Sequence, residues 1–284
     1  MRHSKPDPTC KLIDMPELPE VETSRRGIAP YVVGKRIDNV VIRERRLRWP
    51  VSNDVDEHLP GQTVRSIERR AKYLLINTTG GTAIIHLGMS GSVSIVEVET
   101  PASVHDHFDI ALSSGKSLRY RDPRRFGSLH WTDDAHRHWL LRNLGPEPLS
   151  GKFSGDYLWR ISRGRRVSVK PFIMNSEIVV GVGNIYASES LFLAGIHPCR
   201  AAGRIARHRY DKLATSIKTV LEKAIRAGGT TLRDFYGFNG EAGFFQQQLE
   251  VYGRNEEACH TCKRPISVIF LGQRSTYYCK NCQR

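Results

Sequence analysis

Four of the six cysteines fall within the last 26 residues, where they form two CxxC pairs separated by sixteen residues. Each pair makes a tight knuckle that directs two thiolates at one point, and two knuckles complete a tetrahedral shell of four sulfurs. Disulfide pairing is the alternative, but a reducing compartment disfavours it. The spacing therefore predicts a zinc ribbon with one structural Zn²⁺, bound by Cys259, Cys262, Cys279 and Cys282.

The remaining cysteines, Cys10 and Cys199, have no partner pattern and are predicted to be ordinary thiols. The first fifteen residues lack the apolar stretch and the small-residue cleavage site of a secretory signal. No apolar run reaches the roughly 18 residues that a membrane helix needs. We therefore expect a cytoplasmic protein with no membrane partner.

Basic residues outnumber acidic ones by 43 to 29, a net charge of +14 with histidine neutral. The segment 259–284 contains no Asp or Glu, and the segment from Arg160 to Lys170 carries five basic residues and no acid. Clustered positive charge favours a polyanionic partner through the release of counterions from a phosphate backbone. Any one cluster alone would also fit a solvated basic face.

The 284 residues allow two domains, and the first half is rich in short β runs separated by turn residues. Gly80-Gly81 and Ser114-Gly115 are good hairpin turns. Strands without helical periodicity between them indicate an antiparallel sandwich or barrel. The predicted strands are Ile37–Arg43, Thr63–Arg69, Tyr73–Asn77, Thr82–Leu87, Ser92–Val96, Phe108–Leu112, Lys116–Arg121 and Ser128–Trp131.

Helices are predicted on both sides of this β-rich part. The first runs from Glu17 to Ile28 and ends near Gly27 and Pro30. The proline-rich stretch 145–148 is taken as the linker to the second domain. Beyond it, an apolar stripe predicts a helix that Gly228-Gly229 ends, with positions Tyr210, Leu213, Ile217, Val220, Leu221, Ala224 and Ile225.

A further helix is predicted over Ile185 to Ala194, directly after the glycine-rich stretch Gly181-Val-Gly183-Asn184. Such a turn could present backbone amides and a helix N-terminus to a phosphate. It could equally be no more than a tight turn, because two glycines alone are weak evidence.

Six motifs follow one another along the chain. They are the run PELPEVET from Pro16, Arg70-Ala-Lys72-Tyr-Leu, His86-Leu-Gly-Met89-Ser-Gly, Asp122-Pro-Arg-Arg-Phe-Gly127, Gly181-Val-Gly-Asn-Ile-Tyr-Ala-Ser-Glu189 and the zinc ribbon with Arg274 inside it. Together they resemble the bacterial formamidopyrimidine-DNA glycosylases, and the resemblance covers Pro16 through Arg284. The run PELPEVET favours the oxidised-purine branch over the sister family, endonuclease VIII.

The resemblance implies an α+β multidomain protein with DNA lying in the cleft between its domains. An N-terminal antiparallel β-sandwich with an N-terminal helix would occupy residues 16–145 and carry the catalytic residues. A helical helix-two-turn-helix DNA-binding domain would occupy 149–258, and a zinc-ribbon β-hairpin 259–284. Residues 1–15 would be a non-catalytic extension.

The nucleophile that the resemblance implies is the amine of an N-terminal proline, which matches Pro16. A free α-amine has a pKa near ~8, so a useful fraction is unprotonated at neutral pH. Glu17 is carried over as the acid-base residue, and Glu20 as a supporting carboxylate or merely a charge in the first helical turn. The chain must then begin at Pro16, because the nitrogen of an internal proline is a tertiary amide. Residues 1–14 are therefore predicted to be a misassigned start or a removed segment.

The resemblance also implies the contacts to DNA. Lys72 and Arg274 match phosphate-binding residues grouped with the catalytic set, and Asn184 matches a further phosphate contact. Met89, Arg124 and Phe126 match the residues that fill the gap left by an extruded base. Arg125 and His105 are further DNA-binding candidates. The stretch from Gly228 to Tyr252 matches the base-recognition loop, with no single residue assigned.

The sequence thus predicts a bifunctional DNA glycosylase and abasic-site lyase that removes oxidised purines such as 8-oxoguanine and formamidopyrimidines from damaged double-stranded DNA, acting as a monomer. One alternative is endonuclease VIII-like action on oxidised pyrimidines. The other is a non-catalytic zinc-ribbon DNA-binding protein, if Pro16 has no free amine.

Overall fold

The computed structural model describes residues 16–229 and 249–284. The predicted N-terminal extension and most of the predicted base-recognition loop lie outside these ranges. Within them, an N-terminal helix leads into a part made mostly of strands, a mostly helical part follows, and a two-stranded hairpin comes last, in agreement with the predicted α+β fold. The helices are α1 Leu18–Val32, α2 Asp54–His58, α3 Gly155–Ser162, α4 Val169–Met174, α5 Asn184–Ala194 and α6 Arg207–Arg226. The strands are β1 Ile37–Ile42, β2 Val64–Arg70, β3 Tyr73–Thr78, β4 Thr82–His86, β5 Ser92–Glu97, β6 Asp106–Leu112, β7 Lys116–Arg121, β8 Ser128–Thr132, β9 Ser267–Leu271 and β10 Arg274–Tyr278.

Two four-stranded antiparallel sheets form the N-terminal sandwich, in the strand orders β1-β6-β7-β5 and β2-β3-β4-β8. Their inner faces share one apolar core, to which Ile85, Phe108 and Leu118 contribute fully buried side chains. The sandwich rather than the barrel is therefore the correct alternative. Both predicted hairpin turns are present, and Gly115 has the positive φ of 78° that such a turn favours.

Helix α1 continues four residues beyond its predicted end at Ile28 and passes through both Gly27 and Pro30. The prediction of that end was wrong because it rested on the helix-breaking residues alone, whereas the packing of the last turn keeps the segment helical. Ile28 and Val32 are each 1% exposed and pack into the sandwich core, and this burial offsets the weak helix propensity of the segment.

The segment 145–148 is fastened to the end of β2 through Glu147. One oxygen of its carboxylate accepts hydrogen bonds from the backbone amide of Ala71 at 2.7 Å and from Arg70 at 3.0 Å. The other oxygen pairs with Arg69 at 2.8 Å. The Arg70 guanidinium also donates to the carbonyls of Leu144 and Gly145. The predicted linker is thus tied to the strand end immediately before Lys72.

The second part of the chain has its own core, formed by α3, α4, α5 and α6 together with the terminal hairpin β9–β10. Helix α6 ends at Arg226, and the amide of Gly229 donates to the carbonyl of Ala224, as the Gly-Gly ending predicts. The ribbon joins this core through Ile266 and Tyr277. None of the helices in the described ranges is long and apolar enough to cross a membrane.

Candidate active site and zinc centre

The four ribbon cysteines converge on one point. Their sulfurs all lie within 4.8 Å of one another, with Cys259–Cys282 at 4.0 Å and Cys262–Cys279 at 3.4 Å. A tetrahedral shell with Zn–S bonds of about 2.3 Å has sulfurs about 3.8 Å apart, so the donor set and its spacing fit Zn²⁺. All four ligands are protein thiolates, which leaves no open position for substrate. The centre is therefore structural.

Glu17, just before α1, is one of the residues through which the two domains meet. It is 2% exposed, and its carboxylate accepts hydrogen bonds from the amides of Gly183 at 2.6 Å and Ile185 at 3.0 Å. These amides form the N-terminus of α5, where the partial positive charge of a helix stabilises an anion. The first domain thus supplies the carboxylate, and the second domain supplies the donors that hold it.

The turn before α5 requires glycine at two positions because Glu17 and Leu18 lie directly against its backbone. A Cβ at Gly183 would lie 2.1 Å from the Glu17 carboxyl carbon, and one at Gly181 would lie 2.5 Å from Leu18. Gly181 also has a positive φ of 78°. The suggestion that the turn presents these amides to a phosphate was wrong for Gly183 and Ile185, because the Glu17 carboxylate already accepts both of their hydrogen bonds.

Glu20 lies one helical turn further along α1 and supports the same contact between the start of α1 and α5. Its carboxylate accepts hydrogen bonds from the Glu17 amide at 2.9 Å and from the Tyr186 hydroxyl at 2.6 Å. Glu20 is 1% exposed, and Pro16, which directly precedes Glu17, is also buried. The carboxylate therefore fixes the start of α1 against α5 and so orients the residues on which the predicted chemistry depends.

Lys72 and Arg274, from opposite domains, line one cavity of about 200 Å³. Tyr73, His86 and Gly183 line it too. Burial, followed by the nearby positive charges of Lys72 and Arg48, lowers the pKa of His86 to about 4. Its Nδ1 accepts the amide of Gly88 at 3.1 Å, so the neutral ring carries its proton on Nε2. The cavity thus combines two cations with a neutral hydrogen-bond donor, a set suited to a phosphate.

Asn184 lies at the N-terminus of α5 and is 9% exposed. Its side chain donates to the Tyr252 hydroxyl at 2.9 Å and accepts from the Lys170 ammonium at 2.7 Å. Lys170, 1% exposed, donates further to the carbonyl of Ser275 and to the hydroxyl of Thr276, both in β10. The buried lysine therefore sets the zinc hairpin, and with it Arg274, relative to Asn184.

The predicted gap-filling residues come from two adjacent loops of the sandwich. Met89 is half-buried in the loop after β4, whereas Arg124 and Phe126 are exposed in the loop after β7. The Arg124 guanidinium lies 5.0 Å from the centre of the Phe126 ring, which is 42% exposed. Arg125 pairs with Glu44 at 3.1 Å. The His105 carbonyl accepts the amide of Asp122, where the second loop begins.

The end of the predicted base-recognition loop is fixed by Glu189 in α5. Its buried carboxylate accepts the amides of Glu250, Val251 and Tyr252 at 2.8, 3.0 and 2.9 Å. Burial raises the pKa of Glu189, while these three amides act in the opposite direction. The chain that leaves the undescribed segment 230–248 is thus held at the same helix that holds Glu17.

Three family models cover most of the chain. The Formamidopyrimidine-DNA glycosylase N-terminal domain matches residues 15–129, the Formamidopyrimidine-DNA glycosylase H2TH domain matches 144–236, and the zinc finger found in FPG and IleRS matches 256–284. The chain belongs to the formamidopyrimidine-DNA glycosylase family. The matches agree with the motifs that carried the resemblance and with the α+β fold.

Relatives and solved structures agree with this membership. Proteins named formamidopyrimidine-DNA glycosylase from Pseudomonas fluorescens and Stutzerimonas stutzeri are 60% and 58% identical over 270 residues, which cover 95% of this chain and all of each relative. A Lactococcus lactis Fpg bound to DNA with an abasic site is 33% identical, with a TM-score of 0.87, and covers 95% of this chain and 100% of that one. The Thermus thermophilus MutM (Fpg) protein is 34% identical, with a TM-score of 0.85, over 94% and 98% of the two chains.

Sequence reasoning missed Lys170, Glu189 and Asp122. Lys170 was counted only as part of a basic cluster, and nothing in the sequence marks it as buried. Glu189 and Asp122 stand inside quoted motifs, at the end of the α5 motif and at the start of the Phe126 motif. The available signal for Glu189 and Asp122 was the presence of an acidic residue inside a motif of an otherwise basic protein.

Proposed function

We propose that this chain is a base-excision-repair DNA glycosylase with abasic-site lyase activity, and that it removes 8-oxoguanine and formamidopyrimidines from duplex DNA. The observation that carries the proposal is the Glu17 carboxylate. It is held by two α5 amides next to Pro16, beside a cavity lined by Lys72 and Arg274. A related Lactococcus lactis protein was solved with DNA containing Fapy-dG, which supports the substrate class.

In this proposal the Pro16 amine attacks C1′ of the damaged nucleotide. The new C–N bond forms as the bond from C1′ to the base breaks, and the base leaves with that electron pair. The secondary amine then forms a cationic iminium as the sugar ring opens. This cation accepts the electron pair released when C2′ loses a proton, and successive β- and δ-elimination expels the two phosphates. Glu17 transfers the protons.

The DNA contacts belong to the same proposal. Lys72 and Arg274 would bind the phosphates next to the lesion, with Asn184 as a further contact. Met89, Arg124 and Phe126 would occupy the space that the extruded base leaves, because a thioether, a guanidinium and a ring can replace lost stacking and pairing. Arg125 and His105 would bind DNA nearby. The four cysteines hold zinc outside the reaction, as a brace for the hairpin.

We also propose that the active form begins at Pro16. While residue 15 is attached, the Pro16 nitrogen has no lone pair free to attack. Lys72 is the alternative amine, but a lysine has an unperturbed pKa near ~10.4 and would need a large depression. Borohydride reduction of the iminium on an 8-oxoguanine duplex distinguishes these cases. Protein started at Met15, with the methionine removed, should be trapped through Pro16. Protein retaining residues 1–15 should not.

Equal trapping by an intact long form would contradict the proposed start. A panel of duplexes with 8-oxoguanine, formamidopyrimidine or an oxidised pyrimidine tests the substrate class, and Glu17→Gln provides the inactive control. Preferential release of oxidised pyrimidines would replace the oxidised-purine assignment. A complete absence of release by the Met15-start form would leave only DNA binding.

The proposal includes a monomer acting in the cytoplasm on the bacterial nucleoid. The relatives are bacterial proteins, which supports a chromosomal substrate. Light scattering at micromolar concentration should give the mass of one chain, and a dimer would contradict this part of the proposal.

A further inference from the structure

Asp122 is fully buried, at 0% exposure, at the start of the loop that carries Arg124 and Phe126. Its Oδ1 accepts hydrogen bonds from the Ser90 hydroxyl at 2.6 Å and from the Arg124 amide at 3.2 Å. Its Oδ2 accepts from the Gly127 amide at 2.8 Å and from the Tyr120 hydroxyl at 3.0 Å. Four neutral donors therefore hold one carboxylate.

Three of these donors belong to the two gap-filling loops, which we define as the Met89 loop (residues 87–91) and the Phe126 loop (residues 122–127). The fourth, Tyr120, lies in β7. Ser90 directly follows Met89, while Arg124 and Gly127 bracket the exposed tip of the other loop. The Arg124 amide also lies 3.1 Å from the Ser90 hydroxyl. One side chain thus fixes both ends of the tip and connects it to the neighbouring loop.

The two loops have no room to slide past each other. A Cβ at Gly88 would lie 2.4 Å from the Gly127 nitrogen, and one at Gly127 would lie 1.7 Å from the Tyr120 hydroxyl oxygen. Backbone therefore packs directly on backbone between the loops.

The tip itself adopts a conformation that needs support. Arg125 has a φ of 58°, a left-handed value that is uncommon for a residue with a side chain. Such a residue persists where the surroundings determine its conformation. The Arg125 amide donates to the Asp122 carbonyl at 3.2 Å, and the Asp122 carboxylate holds the amides on either side of the tip.

A contribution to folding stability does not explain why a carboxylate is buried at position 122. A buried carboxylate held only by neutral donors is costly, whereas an apolar side chain would fill the same space without a desolvation penalty. Only an acceptor with two oxygens can meet the Arg124 and Gly127 amides together with the two hydroxyls. The carboxylate is suited to fixing loop geometry.

We propose that Asp122 is the positioning residue that holds Met89, Arg124 and Phe126 as one rigid unit shaped to enter the gap left by an extruded base. This inference rests on the proposed function. Asp122 would touch neither DNA nor the reacting atoms, so it acts in base extrusion and not in the chemistry at Pro16.

The test compares Asp122→Ala and Ser90→Ala in the Met15-start protein. Ser128→Ala is the matched control: Ser128 is fully buried next to Gly127, and its hydroxyl has no hydrogen-bond partner among the described residues. Single-turnover excision is measured on an 8-oxoguanine duplex, with 2-aminopurine beside the lesion to report extrusion. Borohydride trapping on a single-stranded oligonucleotide with an abasic site measures the chemistry where there is no stacked gap to fill.

Asp122→Ala should slow duplex excision and the 2-aminopurine step by at least about tenfold. A displacement of a functional group by about 1 Å can reduce a rate by more than this. Ser90→Ala should slow the same two steps by a smaller factor. Single-stranded trapping should stay within about twofold for both variants, since no base pair is opened. Ser128→Ala should match wild type in every assay.

Equal losses on duplex and single strand would overturn the inference, because they would report a general structural defect. Unchanged duplex excision in both variants would overturn it as well. If Asp122→Ala fails to fold, Ser90→Ala carries the comparison alone. Wild-type protein that releases no lesion would overturn the proposed function itself, and the inference with it, a result distinct from a selective loss in the variants.

A second comparison separates positioning from bulk stability. In protein that already carries Met89→Ala, Arg124→Ala and Phe126→Ala, Ser90→Ala should have almost no further effect on duplex excision. A residue that acts through those three side chains has nothing left to position in that background. A full additional loss there would contradict the inference.

Discussion

At the scale of single residues, the carboxylate of Glu17 depends on a residue 166 positions away. The α5 turn can approach it only because residue 183 has no side chain. Gly183 has φ of −102°, which any residue can adopt, so steric contact and not backbone strain is the reason for glycine here. Contact with the Glu17 carboxyl group therefore accounts for the whole expected effect of adding a methyl group.

Gly183→Ala should displace Glu17 and reduce excision from an 8-oxoguanine duplex by about 10²-fold, since the added Cβ would lie 2.1 Å from the carboxyl carbon. Gly151→Ala is the matched control, because a Cβ there meets nothing within 4 Å. Single-turnover excision and thermal unfolding measure the two variants. Wild-type excision by Gly183→Ala would show that the position of Glu17 is unimportant for base release.

Prediction from the sequence succeeded where the deciding contacts are local. Short β-rich runs and the turn residues between them located the strands of the sandwich, and Gly228-Gly229 marked the end of α6. The same reasoning failed at Gly27 and Pro30, because the burial of Val32 depends on the sheet beneath it. The contact between Glu17 and α5 and the burial of Lys170 arise only when distant segments dock. No local pattern encodes either feature.

At the scale of elements, the hairpin β9–β10 carries Arg274 to the cavity and is braced at two points. The four cysteines close its base, and Lys170 donates to its second strand. A short segment with few apolar residues of its own needs a metal to fold, so the loss of zinc should release the hairpin.

Cys262→Ser should lower bound zinc from one ion per chain to nearly none. It should also weaken DNA binding by at least about tenfold, because the released hairpin no longer holds Arg274 at the cavity. Elemental analysis and fluorescence anisotropy with a lesion duplex provide the measurements. Cys199→Ser is the control, because this exposed thiol lies outside the cluster. Full activity in Cys262→Ser protein without zinc would contradict a structural role for the metal.

At the scale of the whole molecule, cations from separate domains meet in one cavity within a chain of net charge +14. If Lys72 and Arg274 each neutralise a phosphate, Lys72→Ala and Arg274→Ala should each reduce the salt dependence of DNA affinity by about one unit, and the double variant by about two. Lys116→Ala is the control, since Lys116 lies at the opposite end of β7 from Asp122 and pairs with Glu97. If Lys116→Ala reduced the salt dependence of DNA affinity as much as Lys72→Ala and Arg274→Ala do, the effect would come from the net charge of the protein and not from specific phosphate contacts.

The stability of the whole molecule should depend on two histidines that are held neutral. Burial lowers the pKa of His86 to about 4, and burial and then His138 lower that of His130 to about 4. The Nε2 of His130 is buried and has no hydrogen-bond partner among the described residues. The unfolded chain binds a proton near pH 6.5, which the folded chain binds only near pH 4, so acid favours unfolding.

The free energy of unfolding should therefore fall as pH drops below about 6.5, with each histidine contributing up to about 1.4 kcal/mol per pH unit, and this contribution should level off near pH 4. Urea denaturation between pH 8 and pH 5 measures the slope while most carboxylates stay charged. His130→Leu should flatten the slope by removing one proton from the unfolded chain alone, whereas His136→Leu, at an exposed position, should leave it unchanged. Because both variants keep all four cysteines, any loss of zinc in acid is common to them, and the difference between their slopes isolates His130. Equal slopes in the two variants would mean that His130 gains its proton as readily in the folded protein as in the unfolded chain.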